Sequence, residues 1–215
     1  MNTRDRILDG AQQLFWKHGY TKTTLRMIAR EVDVNLGLLP YYFDKKENIG
    51  IEIYSRFMSK FYERIPYKEY DVQNSIEHLL LTYLLLQYQM NLEPGLLKLY
   101  VELVKEDVLK YSVESYTFKS LELIEQEYHL ELKSLDLATT ISIIKGVERA
   151  LIVGNIDGKL DMDYFDINVN LVKCALLYLG IERGVIDENI AVVRKKLMEK
   201  KIDFTVFNGE IADEH

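Results

Sequence analysis

The stretch TTLRMIAREVDVNLGLLPYYFDKK, from Thr23 to Lys46, decides how the chain is read. Leu25, Ile28, Ala29 and Val32 recur at helical spacing, and Thr23 or Thr24 stands ahead of them as an N-cap. That short helix stops near Asp33. Asn35 is the next cap candidate and opens another short helix that runs to about Tyr42. Upstream, Ile7, Leu8, Ala11, Leu14 and Phe15 form an apolar helical stripe that Gly19 closes. Downstream, Lys45 to Ile65 predicts a longer helix with Ile49, Ile53, Phe57 and Phe61 on one stripe, ended by Pro66.

The rest of the chain continues in helices. Tyr67 to Asp71 is a polar connector. Ser75 to Met90 is apolar nearly all round, as suits a helix inside a bundle. Asn91 to Gly95 reads as a turn, and Leu96 to about Tyr128 as one or two helices broken near Lys110 to Ser112. Asp136 to Gly154, Tyr164 to Leu179 and Asp187 to Lys200 follow, with a Gly/Asp loop at Asn155 to Asp163. Only 3 Pro and 11 Gly interrupt 215 residues, which favours long helices over a strand-and-turn fold. One cysteine, Cys174, leaves no partner for an intrachain disulfide or a cysteine metal site. The start is polar, and no apolar run approaches the ~18 residues of a membrane span. A soluble cytoplasmic protein is expected. Net charge is −7, but unevenly spread. Residues 1–50 carry eight Lys/Arg and six Asp/Glu, a net of +2, while the remainder carries 19 and 28, a net of −9. A small head that tolerates phosphates on a body that repels them is one reading; chance scatter in an acidic chain is the other.

Residues 3–50 resemble the DNA-binding head of the TetR (tetracycline-repressor) family. The resemblance rests on Gly19-Tyr20, Thr23-Thr24, Ile28-Ala29, Val34-Asn35, Gly37, Tyr41-Tyr42-Phe43 and Lys46. It implies an all-α protein: an N-terminal three-helix helix-turn-helix head and a C-terminal helical ligand-binding and dimerisation bundle. The head is placed at 1–48, with helix 45–65 as connector, the body at 67–203 and a loose tail at 204–215.

Within that frame, Thr23, Thr24, Arg26, Asn35, Leu36, Gly37, Leu38, Tyr41, Tyr42 and Lys46 are the candidate DNA-binding residues. Thr24 can offer a hydroxyl and a backbone N–H to a phosphate, Asn35 caps the third helix, and Lys46 can pair with a phosphate. The third helix carries no Arg, Lys, Asn or Gln past its cap, so the usual hydrogen-bonding readout is missing. The resemblance turns Leu36 and Leu38 to the groove, where they can meet thymine methyls, and gives Arg26 a groove contact. Leu39 is expected in the core, and Arg30 in a surface ion pair. Pro40 stands where the family usually has a phosphate-contacting Tyr and is expected to strain the helix, with Tyr41 and Tyr42 taking over that contact.

The resemblance further implies a homodimer on a palindromic operator, built from the helices at 136–154 and 164–179. Ile144, Val147, Leu151, Leu171, Ala175 and Tyr178 are its candidate interface; burial within one protomer is the competing reading. It also implies a cavity for a small hydrophobic or aromatic effector, with Tyr83, Gln87, Met90, Tyr100, Tyr116 and Phe118 as candidates, against a plain core role. Double-stranded DNA, the effector and a second copy are the expected partners, repression the expected mode. His18, His78, His129 and His215 are scattered, and no catalytic or metal motif stands out, so no enzyme activity, metal or cofactor is expected. The alternative is a helical interaction or ligand-sensing protein whose helix-turn-helix binds DNA weakly or not at all.

Overall fold

The computed structural model describes residues 2–65, 67–110 and 115–201. Within them lie ten α-helices and one 3₁₀ turn, with no strand. Pro66, Ser112, the Tyr116 side chain and the tail 204–215 lie outside the described residues.

The helices fall into two compact units. The first joins the chain up to residue 63 with residues 92–109; the second joins 64–91 with everything from 110 onward. The first unit holds α1 (Thr3–His18), α2 (Leu25–Glu31), α3 (Leu38–Phe43), α4 (Lys46–Arg64) and α6 (Pro94–Lys105). α1 starts on Asn2, whose side chain accepts the Asp5 N–H, and ends at Gly19 with φ +84°. That positive φ is why a glycine ends the helix. Ile7, Leu8, Phe15, Ile28, Leu39 and Ile49 are fully buried, and Tyr20 meets Phe15 edge-on at 5.2 Å.

The membership of α6 differs from the division expected at residue 67. α1 packs on α6 as well as on α2. Tyr100 of α6 stacks on Tyr54 of α4 at 5.8 Å, and Leu103 lies where a Cβ on Gly50 would intrude. These contacts join residues some fifty positions apart, so local pattern cannot report them. Pro94 starts α6, where its missing N–H costs nothing, inside the stretch expected to be a turn.

The second unit holds the 3₁₀ turn Tyr67–Tyr70, α5 (Ser75–Leu92), α7 (Ser115–Glu127), α8 (Ser134–Ile156), α9 (Tyr164–Tyr178) and α10 (Arg183–Glu199). α8 lies along α9, with α7 on α8 and α10 on α9. Ile144, Leu171 and Ala175 form one core cluster against Tyr83 and Val147; Leu121, Ile141 and Leu179 form another. Lys196 of α10 reaches the buried Glu77 of α5 at 2.6 Å, and Asn74 bonds Asn189 at 2.8 Å, so α10 is fastened to the start of α5. α10 begins at Arg183, four residues before the expected Asp187.

Gly95 is the tightest point of the α1–α6 contact. A Cβ there would stand 2.0 Å from Cδ1 of Trp16. Gly95→Ala is therefore expected to lower unfolding stability by about 1–3 kcal/mol despite alanine's better helix propensity. Urea denaturation of the two proteins checks this; a neutral or stabilising result would mean that the indole moves aside freely.

Candidate nucleic-acid interface

The helix-turn-helix is built on a turn at Val32 to Gly37. Asp33 adopts φ +48°, and Val34 N–H returns to the Ala29 carbonyl at 3.0 Å. Ala29 is buried, small enough to let the chain double back. α2 is capped by Thr24, whose Oγ1 accepts the Met27 N–H at 3.2 Å. α3 begins at Leu38 rather than at Asn35. Asn35 instead closes the preceding turn: its Oδ1 accepts the Gly37 N–H at 2.8 Å and its carbonyl accepts the Leu38 N–H at 2.9 Å.

Pro40 is the third residue of α3. The first four N–H groups of any helix lack intrahelical acceptors, so proline removes no bond there. Its carbonyl takes the Asp44 N–H at 2.9 Å, as a regular turn requires. The expected strain at Pro40 is thus corrected. Leu39 and Phe43 anchor the helix in the core, as the pattern implied for Leu39. The opposite side leaves Leu36 at 42% and Tyr41 at 78% exposure, with Leu38 and Tyr42 half-buried. Tyr41 and Tyr42 pack edge to face at 5.0 Å.

Two candidates are drawn inward. Thr23 is fully buried, and its hydroxyl donates to the Gly19 carbonyl at 2.7 Å. It cannot reach a phosphate; its neighbour Thr24 is the exposed member of the pair. Lys46 points its ammonium at the carbonyls of Tyr20 and Thr23, 3.1 Å from each, and over the Tyr20 ring at 4.2 Å. The Tyr20 carbonyl also takes the Thr23 N–H at 3.2 Å; the lysine adds a charged donor to it and to the Thr23 carbonyl, acting as an internal cap of the α1–α2 turn. Glu102 holds the same turn from α6, accepting the Thr21 N–H at 2.6 Å. The Tyr20 hydroxyl, raised far above its ordinary pKa by burial and by Glu47, Glu106 and Glu102, stays neutral.

The cations of the head divide into two sets. Arg4 forms a two-pronged pair with Glu52, Arg6 donates to the Val32 carbonyl at 2.6 Å, and Arg56 bridges Asp5 and Glu52. Lys17, Lys22, Arg26, Arg30 and Lys45 are exposed and have no ion-pair partner among the described residues. Arg30 thus lacks the expected surface pair. Arg26 stands on the exposed side of α2, and Lys22 and Lys45 each adjoin a residue of the Lys46 tie.

The expected effector residues do not converge. Tyr100 belongs to the first unit, stacked on Tyr54. In the second unit Gln87 and Met90 are buried on α5, Tyr83 packs on the Ile144 cluster and Phe118 on the Leu121 cluster. A surface groove of about 480 Å³ lies elsewhere, between the start of α5 and the end of α7, lined by Val72, Asn74, Ser75, His78, Leu123 and Glu127 among others. Its His78 stacks on Tyr67 at 4.1 Å, and burial, with Lys119 nearby, lowers its pKa. Scattered polar residues gave no signal for this groove in sequence. The expected interface also changes. Ile144, Leu171 and Ala175 are at most 2% exposed inside one protomer, so they form its core rather than a free face. Val147 and Leu151 are half-buried, and Tyr178 is 44% exposed.

Residues 7–53 match the family described as bacterial regulatory proteins, tetR family. Over 140 residues the chain is 28% identical to the HTH-type transcriptional regulator QacR of Staphylococcus aureus, covering 64% of this chain and 72% of that protein. It is 31% identical over 94 residues to the probable HTH-type transcriptional regulator YttP of Bacillus subtilis, covering 42% of this chain and 45% of that one. The crystal structure of a tetR-family transcriptional regulator from Streptomyces coelicolor aligns over 92% of each chain at 14% identity, with a TM-score of 0.49.

The position of Lys46 separates an internal cap from a simple phosphate contact. Lys46→Ala is expected to lower stability by about 1–2 kcal/mol, since two carbonyls lose a charged donor. Chemical denaturation without DNA measures it. An unchanged midpoint would return Lys46 to the role of a solvated, phosphate-facing lysine.

Proposed function

We propose that this chain, whose residues 7–53 match the tetR family of bacterial regulatory proteins, is a homodimeric DNA-binding repressor of a palindromic operator, released by a small hydrophobic or aromatic effector. The observation that carries the DNA half is the unpaired set Lys22, Arg26 and Lys45 around an exposed α2–α3 face. Phosphate affinity needs cations that are not already neutralised. Thr24 and Tyr42 add hydroxyls for positioning on the backbone. Arg26 is the side chain with the reach and the fork to contact a base edge. Such a protein works in the cytoplasm, where its DNA is; no described helix is long and apolar enough to cross a membrane.

A single helix-turn-helix grips one half-site, and two-fold dimers span half-sites about 34 Å apart. The dimer face is assigned to the outward sides of α8 and α9. Ser142, Gly146 and Ala150 are exposed there on α8, and Cys174, Leu177 and Tyr178 on α9. Small residues on one helix and exposed Leu177 and Tyr178 on the other suit close helix packing. The effector reading rests on α5, where Tyr83 and Gln87 place polar groups in an apolar helix that also buries Met90. An effector must bind the released state more tightly than the DNA-bound one to act.

Selection of genomic fragments by the purified protein at two salt concentrations tests the reading. An enriched palindrome is expected, with affinity falling as salt rises. Arg26→Ala should weaken the selected site by about 1–3 kcal/mol and relax its sequence preference; unchanged affinity would remove Arg26 from the base contacts. Ala150→Glu should convert a dimeric mass in light scattering to a monomeric one without unfolding the chain. A monomeric wild type, or a variant that stays dimeric, would reject the assigned face. Compounds that raise the melting temperature but never release DNA would reject the effector assignment.

A further inference from the structure

Resting on the DNA-binding reading above, we infer that the α3 face of this head selects its operator through the C5-methyl groups of thymine, with Leu36 and Leu38 as the specificity-determining residues. The inference comes from what the exposed face offers. Leu39 and Phe43 are in the core and Pro40 has no N–H, so they give a base edge no hydrogen bond. Asn35 would need both halves of its amide for the two-bond contact with adenine, and its Oδ1 already takes the Gly37 N–H. Lys46, one turn beyond the helix, is committed to Tyr20 and Thr23. The side chains left are Leu36, 42% exposed, Leu38, half-buried, Tyr41, 78% exposed, and Tyr42, half-buried and assigned above to the DNA backbone.

The major groove presents donors and acceptors on every base pair but one apolar group, the thymine methyl. An exposed leucine pressed against donors and acceptors would strip water from them without replacing it. Against a methyl it removes apolar surface from water on both sides. Gly37 stands between the two leucines with no side chain, and a Cβ there would meet only Asn35 Oδ1, so the surface between them is open. Lys22, Arg26 and Lys45 supply the charge that holds the neutral face against the duplex.

The test uses the operator recovered by selection. Each thymine of one half-site is replaced in turn by deoxyuridine, which deletes the methyl and keeps every hydrogen-bonding group. One or two positions per half-site should bind about fourfold more weakly, the effect of burying one methyl less. Leu36→Ala or Leu38→Ala should abolish the penalty at its own position and leave the other, the signature of a direct contact. At a sensitive position, 5-methylcytosine should bind better than cytosine. Both leucines are exposed or half-exposed, so unchanged melting temperatures verify that the variants fold. If an operator is selected but every uracil is tolerated, this inference falls and the DNA-binding reading stands. If no operator is selected at either salt concentration, both fall.

Discussion

The Lys46 ammonium donates to the carbonyls of both Tyr20 and Thr23 and so ties the α1–α2 turn to the start of α4. A turn that must join α1 to α2 at a sharp angle leaves backbone acceptors half-buried, and such groups are costly unless paired. One flexible lysine satisfies two of them and rests on the Tyr20 ring as well. Thr23 closes the same loop from within, through its bond to Gly19, and Glu102 closes it from α6 by taking the Thr21 N–H. The start of α2, and with it Thr24 and Arg26, is therefore held by three independent bonds. Its position does not depend on the weak intrinsic stability of a seven-residue helix.

That arrangement ties α6 to the head. Gly95 accommodates Trp16, Tyr100 stacks on Tyr54, and Glu102 holds the Thr21 amide. A displacement of α6 would act on the α1–α2 turn through a charged hydrogen bond, which is directional, and through an indole contact with no slack. The head is therefore a five-helix object in which the three N-terminal helices carry the surface and α4 and α6 set its geometry.

Much of this was legible in the sequence. The stripes of α1 and α4, the glycine stop at residue 19 and the short pair around Asp33 follow from period and caps, and the structure has them. The errors have physical causes. Thr23 and Thr24 are chemically alike, but Thr24 is extended ahead of α2, where successive side chains point to opposite sides, so one is buried and the other caps. Lys46 has a stem long enough to fold back or reach out, and sequence does not say which. For Ile144, Leu171 and Ala175 the sequence leaves partner and protomer burial open, because a stripe buried by a second copy and one buried against α5 look identical in pattern. The exposed residues of α8 and α9 include the small Gly146, Ala150 and Cys174, which no hydrophobic stripe marks. The α6 contacts were invisible for a simpler reason: they are long-range.

The absence of base-reading polar groups on α3 follows from the same economy of charge. In a head of modest positive charge, Arg4, Arg6 and Lys46 are spent on internal bonds. The cations that remain flank the reading face rather than occupy it. On the readings proposed above, attraction falls to Lys22 and Lys45, Arg26 adds a base contact from α2, and Leu36 and Leu38 discriminate by shape and apolarity. A face of this kind gains little from any single contact, since one methyl is worth far less than a two-pronged arginine–guanine pair. Selectivity then grows by repeating the contact, and the homodimer proposed above would repeat every leucine on a second half-site at no cost in new sequence. On that proposal the apolar face around α3 and the exposed sides of α8 and α9 would act as one device, the first being too weak to specify an operator without the doubling that the second would provide.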